Sequence, residues 1–263
     1  MNHDEFQRLI RQQGEELYRD MPWRQDMRPY YVLVSELMLQ QTQVDRVVPK
    51  FEKFVSRFPD EVTLASAPLA DVLREWQGLG YNRRAKFLHL AAKQLVEQGG
   101  FPQEHAGLIR LPGVGPNTAG AIMAYAFDQP ALFIETNVRA VYIHHFFSDH
   151  DTVDDKDIRK LLEQTIDREH PREFYWALMD YGSWLKSQGV TPGRSRHYKK
   201  QPPLKGSVRE VRGQILTLLS GGDMTVSRLG QHYDGDGRFQ VALDGLIDDG
   251  LITITGKQIH LTK

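Results

Sequence analysis

Two glutamates and one glycine-bearing turn carry the chemistry this sequence offers. Leu111-Pro112-Gly113-Val114-Gly115-Pro116-Asn117-Thr118-Ala119-Gly120 reads as a tight turn between two helices. Its glycines suit a backbone that reverses and stays open to a neighbour. Pro116 suits the first turn of the next helix, where a missing N–H costs nothing. Free backbone N–H groups and the positive end of a helix dipole then face outward, an anion site whose natural occupant is a DNA phosphate. One helix further on, Glu135 precedes Thr136-Asn137-Val138 at an expected helix start, where the dipole favours an ionised carboxylate. Upstream, Glu36 lies among Val32, Leu33, Val34, Leu37, Met38 and Leu39. Desolvation in such a setting raises a carboxyl pKa and suits a general acid. Two carboxyls in contrasting environments are the pattern of paired acid and anion chemistry. Taken singly, a Gly-x-Gly turn serves helix packing equally well, and a lone Glu serves as a solvated helix charge.

The elements that must hold these residues are mostly helical. Apolar spacing of three and four residues predicts helices over Phe6 to Tyr18, Tyr30 to Leu39, Phe51 to Phe58, Pro68 to Trp76 and Ala85 to Gln98. Thr118 to Phe127 and Val138 to Phe147 flank Glu135, and Ile158 to Ile166 and Phe174 to Leu185 follow. Pro and Gly punctuate between them. Residues 1–190 therefore read as one mainly α body with a cleft. Residues 191–206 carry Pro192, Pro202 and Pro203 with several basic residues and read as a linker. Residues 207–263 change pattern. Val208 to Leu219, a segment from Thr225, and Phe239 to Ile247 read as helices. Leu251 to Thr255 and Gln258 to Leu261 alternate as a β-hairpin around Gly256-Lys257. Three helices and a hairpin resemble a small winged-helix α+β domain.

Composition bounds the function. The chain has 263 residues, 40% hydrophobic and 25% charged, and a net charge of -1. The length allows one large or two modest domains. The acidic start Met1-Asn2-His3-Asp4-Glu5 shows no signal peptide, and no stretch is long enough to span a membrane. Cytoplasmic, nucleoid-associated work in a bacterial or archaeal type of cell is the expectation. Cysteine is absent, which excludes disulfides, thiolate zinc sites and thiolate-held iron–sulfur clusters. No metal or cofactor is expected. The net charge does not advertise nucleic acid, yet basic residues gather locally. Arg83, Arg84 and Lys86 follow Tyr81, and Arg194, Arg196, Lys199, Lys200 and Lys205 crowd the linker. Acids gather from Asp149 to Asp157. Such a face binds phosphates; solvated loop charge explains either cluster equally well.

Four segments in order carry a resemblance: Ser35-Glu36-Leu37-Met38-Leu39-Gln40-Gln41-Thr42-Gln43-Val44, Gly78-Leu79-Gly80-Tyr81, the Leu111 to Gly120 turn, and Glu135-Thr136-Asn137-Val138. Over about residues 5 to 200 the sequence resembles the helix-hairpin-helix base-excision DNA glycosylases, and among them the adenine DNA glycosylases of the MutY type. The resemblance implies a helix-hairpin-helix fold of two helical subdomains with a cleft. It further implies hydrolysis of the N-glycosidic bond of a flipped base, in double-stranded DNA with a mismatched or damaged pair. Mismatched adenine opposite 8-oxoguanine or guanine is the first expectation. Thymine or uracil excision, or a non-enzymatic lesion binder, are the alternatives. A monomer is expected, with a protein partner open to the terminal domain.

The resemblance also assigns residues. Glu36 matches the general acid, and Glu135 falls where the family keeps an aspartate that meets the sugar cation. Gln41, Thr42, Tyr81, Arg83, Arg84 and the Gly113-Val114-Gly115 turn would meet DNA, with Gln41 and Tyr81 entering the base stack. Trp23, Arg24, Leu39 and Trp176 would line the base pocket. Asn117 stands where strand-cleaving relatives carry a Schiff-base lysine, which implies a monofunctional enzyme using water. Three departures stand out. The four cluster cysteines of relatives fall on Lys186, Gly193, Arg196 and Pro202. Trp176, with one donor and no acceptor, falls where relatives read adenine with Gln or Glu. The terminal domain carries Asp244, Asp248 and Asp249 on its third helix with only Arg238 near its start, a poor match to a DNA groove and a better one to packing or protein contact.

Overall fold

The computed structural model describes residues 1–190, 192–197 and 201–263. Lys199 and Lys200 of the linker's basic cluster lie outside the described residues. The chain begins with α1 (His3–Glu16), whose start is closed by a capping box. The Asn2 side chain accepts from Glu5 N, and the Glu5 carboxylate accepts from Asn2 N, each at 2.9 Å. Next come α2 (Pro22–Gln25), α3 (Pro29–Leu39), α4 (Val44–Arg57), α5 (Glu61–Ser66), α6 (Leu69–Glu75) and α7 (Arg83–Glu97). The hairpin follows as α8 (His105–Ile109) and α9 (Pro116–Tyr125), then α10 (Thr136–Phe146), α11 (Asp155–Thr165) and α12 (Pro171–Ser187). The last part holds α13 (Val208–Ser220), β1 (Met224–Thr225), α14 (Val226–Gln231), α15 (Arg238–Asp248), β2 (Ile252–Thr255) and β3 (Gln258–Leu261). Asp60, Asp154, Ser207 and Thr225 each cap the helix they precede.

The chain divides into two compact units that it crosses more than once. One comprises 1–33, 102–110 and 114–200; the other comprises 34–101, 111–113 and 201–263. In the first, α12 packs along α1 and α10, and α11 closes against α1 and α10. Gly14 and Ala177 mark the closest approach of α1 and α12: a Cβ on Gly14 would lie 2.7 Å from that of Ala177. Phe6, Tyr142, Phe133 and Tyr175 fill this core. In the second unit α7 packs on α5 and α6, while α13 packs on α6 and α15. The sheet order is β1-β3-β2, all antiparallel, so a two-residue strand that the sequence pattern did not predict joins the hairpin. The acid on α15's end has an internal use. Arg83 and Arg212 pair with the Asp249 carboxylate, and Lys86 Nζ donates 2.6 Å to the Asp249 carbonyl. Among the described residues, no helix is long and apolar enough to cross a membrane.

Candidate active site

In the second unit, one buried guanidinium organises the residues expected to enter DNA. Arg84, 6% exposed, donates to the carbonyls of Leu37 (2.6 Å), Met38 (2.9 Å) and Gln40 (2.6 Å), the last turn of α3. It also donates to the carbonyls of Leu79 (3.2 Å) and Gly80 (2.9 Å) and to Thr42 Oγ1 (3.2 Å). Gly78, Gly80 and Tyr81 all have positive φ, as does Gln41. For Tyr and Gln this left-handed region is uncommon and is held only when the surroundings over-determine it. Burial pulls the Arg84 pKa down to about 10, so it stays charged near neutrality. Arg84 thus supports the two turns from beneath, in place of the phosphate contact expected from sequence. Its neighbour Arg83 is exposed, over the Phe87 ring at 5.4 Å.

Glu36 sits one turn before this clamp on α3, half-buried, with Ser35, Leu37 and Met38 buried beside it. Leu39 and Gln40 are half-buried, and Gln41 is exposed at the tip. Tyr81 is half-buried, and its ring lies 5.5 Å from the Arg84 guanidinium and 5.3 Å from that of Arg209. Its hydroxyl accepts from Arg209 and Gln201. A groove of about 1260 Å³ runs beside these turns, lined by Gln41, Arg46, Tyr81, Arg209, Gln214 and Tyr233 among others. Residues 201–263 therefore border the residues expected to enter the base stack, a placement the linker reading did not anticipate.

The hairpin turn combines two kinds of glycine. Gly113 has φ +79, and a Cβ there would meet the Phe87 side chain at 2.8 Å, so both conformation and space demand glycine. Gly115 is the extended N-cap of α9, and a Cβ there would meet nothing within 4 Å. Packing does not require glycine at 115; open backbone does not conflict with an approaching ligand. Val114 between them is buried, and Pro116 opens α9 as the sequence predicts.

In the first unit, the segment leading to Glu135 is held at several points. Asn117 Nδ2 donates to the Ile134 carbonyl at 2.9 Å, and Ile134 N donates to Asn117 Oδ1 at 3.4 Å. Tyr175 Oη donates to the Ala131 carbonyl (2.6 Å) and accepts from Phe133 N (3.3 Å). The Phe133 ring stacks on Tyr175 at 3.9 Å and lies against Gly120, where a Cβ would be 2.9 Å away. Asn117 therefore acts on the backbone just before Glu135; a lysine, which has no acceptor, could donate to the Ile134 carbonyl but could not accept from Ile134 N.

Glu135 caps α10 without a side-chain bond to the helix. Its carboxyl pKa is raised by burial, against which the charges of Arg139 and Lys186 act. Sequence alone credits the helix dipole with an ionised group; burial is the larger effect here. Asn137 Nδ2 donates to the Met179 carbonyl (3.0 Å), while its Oδ1 is buried without a protein partner. Asn137 lies inside a segment already singled out, so its spacing after Glu135 was the available signal. Arg139 and Lys186 had no such signal.

The expected pocket residues of this unit gather around one buried pair. Arg24, 5% exposed, donates to both oxygens of Asp180 (2.7 and 3.0 Å), and Arg19 Nε adds a third bond (2.6 Å). The Arg24 guanidinium lies 5.3 Å from the Tyr18 ring and 5.2 Å from the Trp176 ring. Trp176 is half-buried and stacks toward Tyr125; Trp23 is buried on α2. Three of the Arg24 guanidinium's N–H groups bond Asp180 and the Arg19 carbonyl, and its flat face is turned to the Tyr18 and Trp176 rings.

At the positions where relatives carry cluster cysteines, Lys186, Gly193, Arg196 and Pro202 offer no thiolate and do not fit an iron–sulfur cluster. Protein contacts tie this stretch instead. Val153 N donates to the Arg194 carbonyl (2.9 Å), Arg196 N donates to the Val153 carbonyl (3.1 Å), and Arg196 and His197 each lie 3.8 Å from Asp154.

This fold, a helical body built around a helix-hairpin-helix turn, is that of the DNA glycosylases. The chain belongs to the HhH-GPD superfamily of base excision DNA repair proteins, which matches residues 34–168. It is 34% identical over 267 residues to the adenine DNA glycosylase of Mycobacterium tuberculosis (strain CDC 1551 / Oshkosh), covering 90% of this chain and 87% of that protein. It is 39% identical over 173 residues to the adenine DNA glycosylase of Buchnera aphidicola subsp. Baizongia pistaciae, covering 64% of this chain but only 48% of that protein. The solved structure of a thermostable thymine-DNA glycosylase matches with a TM-score of 0.62 at 26% identity, covering 69% of this chain and 86% of that one.

Proposed function

We propose that the protein is a monofunctional adenine DNA glycosylase, working as a monomer on cytoplasmic, nucleoid DNA and cleaving the bond between a flipped mismatched adenine and its sugar. One observation carries the reading: Glu36 and the two stack-entering turns share a single scaffold, pinned by Arg84. Opening the stack and protonating the extruded base are thereby mechanically linked. Glu36 gives its proton to a ring nitrogen of the base, and the glycosidic electron pair leaves with the base. Glu135 as carboxylate faces the positive charge that develops on the sugar. Water adds at the sugar carbon and loses a proton, leaving free base and an abasic site. Asn117 is committed to the Ile134 peptide and has no amine, which supports hydrolysis without strand cleavage.

Trp176 favours a second reading, excision of thymine or uracil, because its indole offers a single donor and no acceptor to a purine. Single-turnover excision on duplexes carrying A opposite 8-oxoguanine, A opposite G, and T or U opposite G separates the two. The expected result is adenine release, with strand breaks only after alkali. Release of thymine or uracil alone would replace the first reading by the second. Binding without release of any base would refute both.

A further inference from the structure

The terminal domain reaches the turn that carries Tyr81. Its first helix, α13, is capped by Ser207, whose side chain accepts from Glu210 N. Val211, Ile215, Leu216 and Leu219 bury the inner face of that helix. It packs on α6, and Gln77, just beyond α6, donates to Ser220 at its far end. Lys86 of α7 donates to the Asp249 carbonyl at 2.6 Å and ties the same domain a second time. The start of α13 is thereby fixed relative to the Gly78 to Tyr81 turn.

Arg209 stands in the first turn of α13 and is half-buried. Its Nη1 donates to the Tyr81 hydroxyl, and its Nη2 donates to the carbonyls of Pro202 (2.7 Å) and Pro203 (3.4 Å). Gln201 Nε2 donates to the same hydroxyl. The other arginines of the domain's core edge serve its own acids: Arg212 pairs with Asp249, and Arg238 with Glu210 and Asp236. Among the described residues, Arg209 makes no ion pair and gives its donors to neutral groups. At the other end of the Tyr81 side chain, the backbone is held at φ +47, beside a Gly80 carbonyl that accepts from Arg84 at 2.9 Å. Arg84 thus sets where the side chain leaves the backbone. Two side-chain torsions remain, and a tie at the hydroxyl restricts them. A base stacks on the face of a ring. The tie is made at the hydroxyl on the edge, so it need not break when the ring meets a base.

We infer that Arg209 is a positioning residue for Tyr81: from α13 it holds the hydroxyl and aims the ring before DNA arrives. The terminal domain then takes part in opening the duplex, a role that the acids of α15 did not suggest. The inference rests on that part of the glycosylase reading in which Tyr81 enters the base stack. Holding one side chain in its working pose removes an ordering cost worth roughly two- to tenfold.

The test uses the full-length protein and a duplex carrying adenine opposite 8-oxoguanine. A 2-aminopurine beside the mispair changes its emission with its stacking. Single-turnover excision at saturating protein is followed in parallel, with affinity for a fully matched duplex and its salt dependence as the reference. The variants are Arg209→Met, Tyr81→Phe and the two combined. Each single change should lower the emission response and the excision rate by roughly two- to tenfold. Matched-duplex affinity and its salt slope should stay as in wild type. The combined variant should match Tyr81→Phe alone, because Arg209 acts through the hydroxyl that Tyr81→Phe removes. Multiplied losses in the combined variant would place the action of Arg209 elsewhere and overturn the inference. Unchanged or faster excision in Arg209→Met would overturn it too, the faster rate marking a lock on the ring. So would weaker matched binding with a shallower salt slope, the sign of a phosphate contact. A wild-type protein that releases no base from any duplex, while its emission response keeps this non-additive dependence on both groups, would overturn the glycosylase reading and leave the positioning role standing.

Discussion

Arg84→Met is the most direct test of the scaffold beneath the two turns proposed to enter the base stack. It keeps the length of the stem and removes every donor. The carbonyls of Leu37, Met38, Leu79 and Gly80 lose partners, and Gln40 and Thr42 lose theirs at the more open edge. An unsatisfied buried acceptor costs about 1–3 kcal/mol. The Leu79 and Gly80 carbonyls keep Thr42 Oγ1 (3.4 Å) and Trp76 Nε1 (3.2 Å) as donors, so the Leu37 and Met38 carbonyls carry the loss, about 2 kcal/mol. For a chain of this length that corresponds to roughly 4–8 °C in melting temperature. Thermal unfolding by calorimetry gives the global figure. Amide exchange at residues 40–42 and 78–81 gives the local one, and those amides should lose protection first. Excision should fall with them, while the salt dependence of DNA binding stays as in wild type, because no phosphate contact is lost. A variant melting within about 3 °C of wild type, with a shallower salt slope, would show that Arg84 meets phosphate after all.

The two acids and the hairpin give further expectations. Glu36→Gln should cut single-turnover excision by roughly a hundred- to ten-thousandfold with duplex affinity retained. Glu135→Gln should also be severe, and Glu135→Asp should lower the rate because the carboxylate withdraws from its surroundings by about one C–C bond, 1.5 Å; a gain in Glu135→Asp would mark a lesion binder that has lost its chemistry. Asn117→Lys places an amine beside the Ile134 peptide and removes the clamp. It is the change expected to yield an adduct with DNA trapped by borohydride, and an adduct in wild type would contradict the monofunctional reading.

What the sequence conveyed, and what it hid, follow from the range of each interaction. Helices with periodic faces were legible because period and burial coincide, as in α1, α7 and α12. The same holds for local turn chemistry such as Gly113 and Pro116. The helical turn α2 and the short α5 carry too few residues for a period. The strand β1 is two residues long and exists only because Met224 pairs with Ile259. In α4, the helix starts at Val44 and runs through Pro49, upstream of the predicted Phe51; a proline inside the helix removes a backbone hydrogen bond, a cost that burial of Val47, Phe51 and Phe54 on the inner face offsets. Charge was the least legible property. Arg83 and Arg84 are adjacent in sequence and alike in type, yet one is exposed and the other buried, a distinction set by carbonyls more than forty positions away in one case.

The ties of residues 194–197 to Val153 and Asp154 have a consequence for how this part of the protein responds to its surroundings. Backbone hydrogen bonds to Val153 and exposed pairs to Asp154 are separate and individually weak. Salt screens the pairs. A hydrogen bond from the Lys156 backbone N–H holds the Asp154 carboxyl below the ordinary range, so acid releases the pairs only as the pH falls through that lowered value. Order here is therefore graded, loosening with ionic strength and acidity, and indifferent to oxidants that would strip a metal.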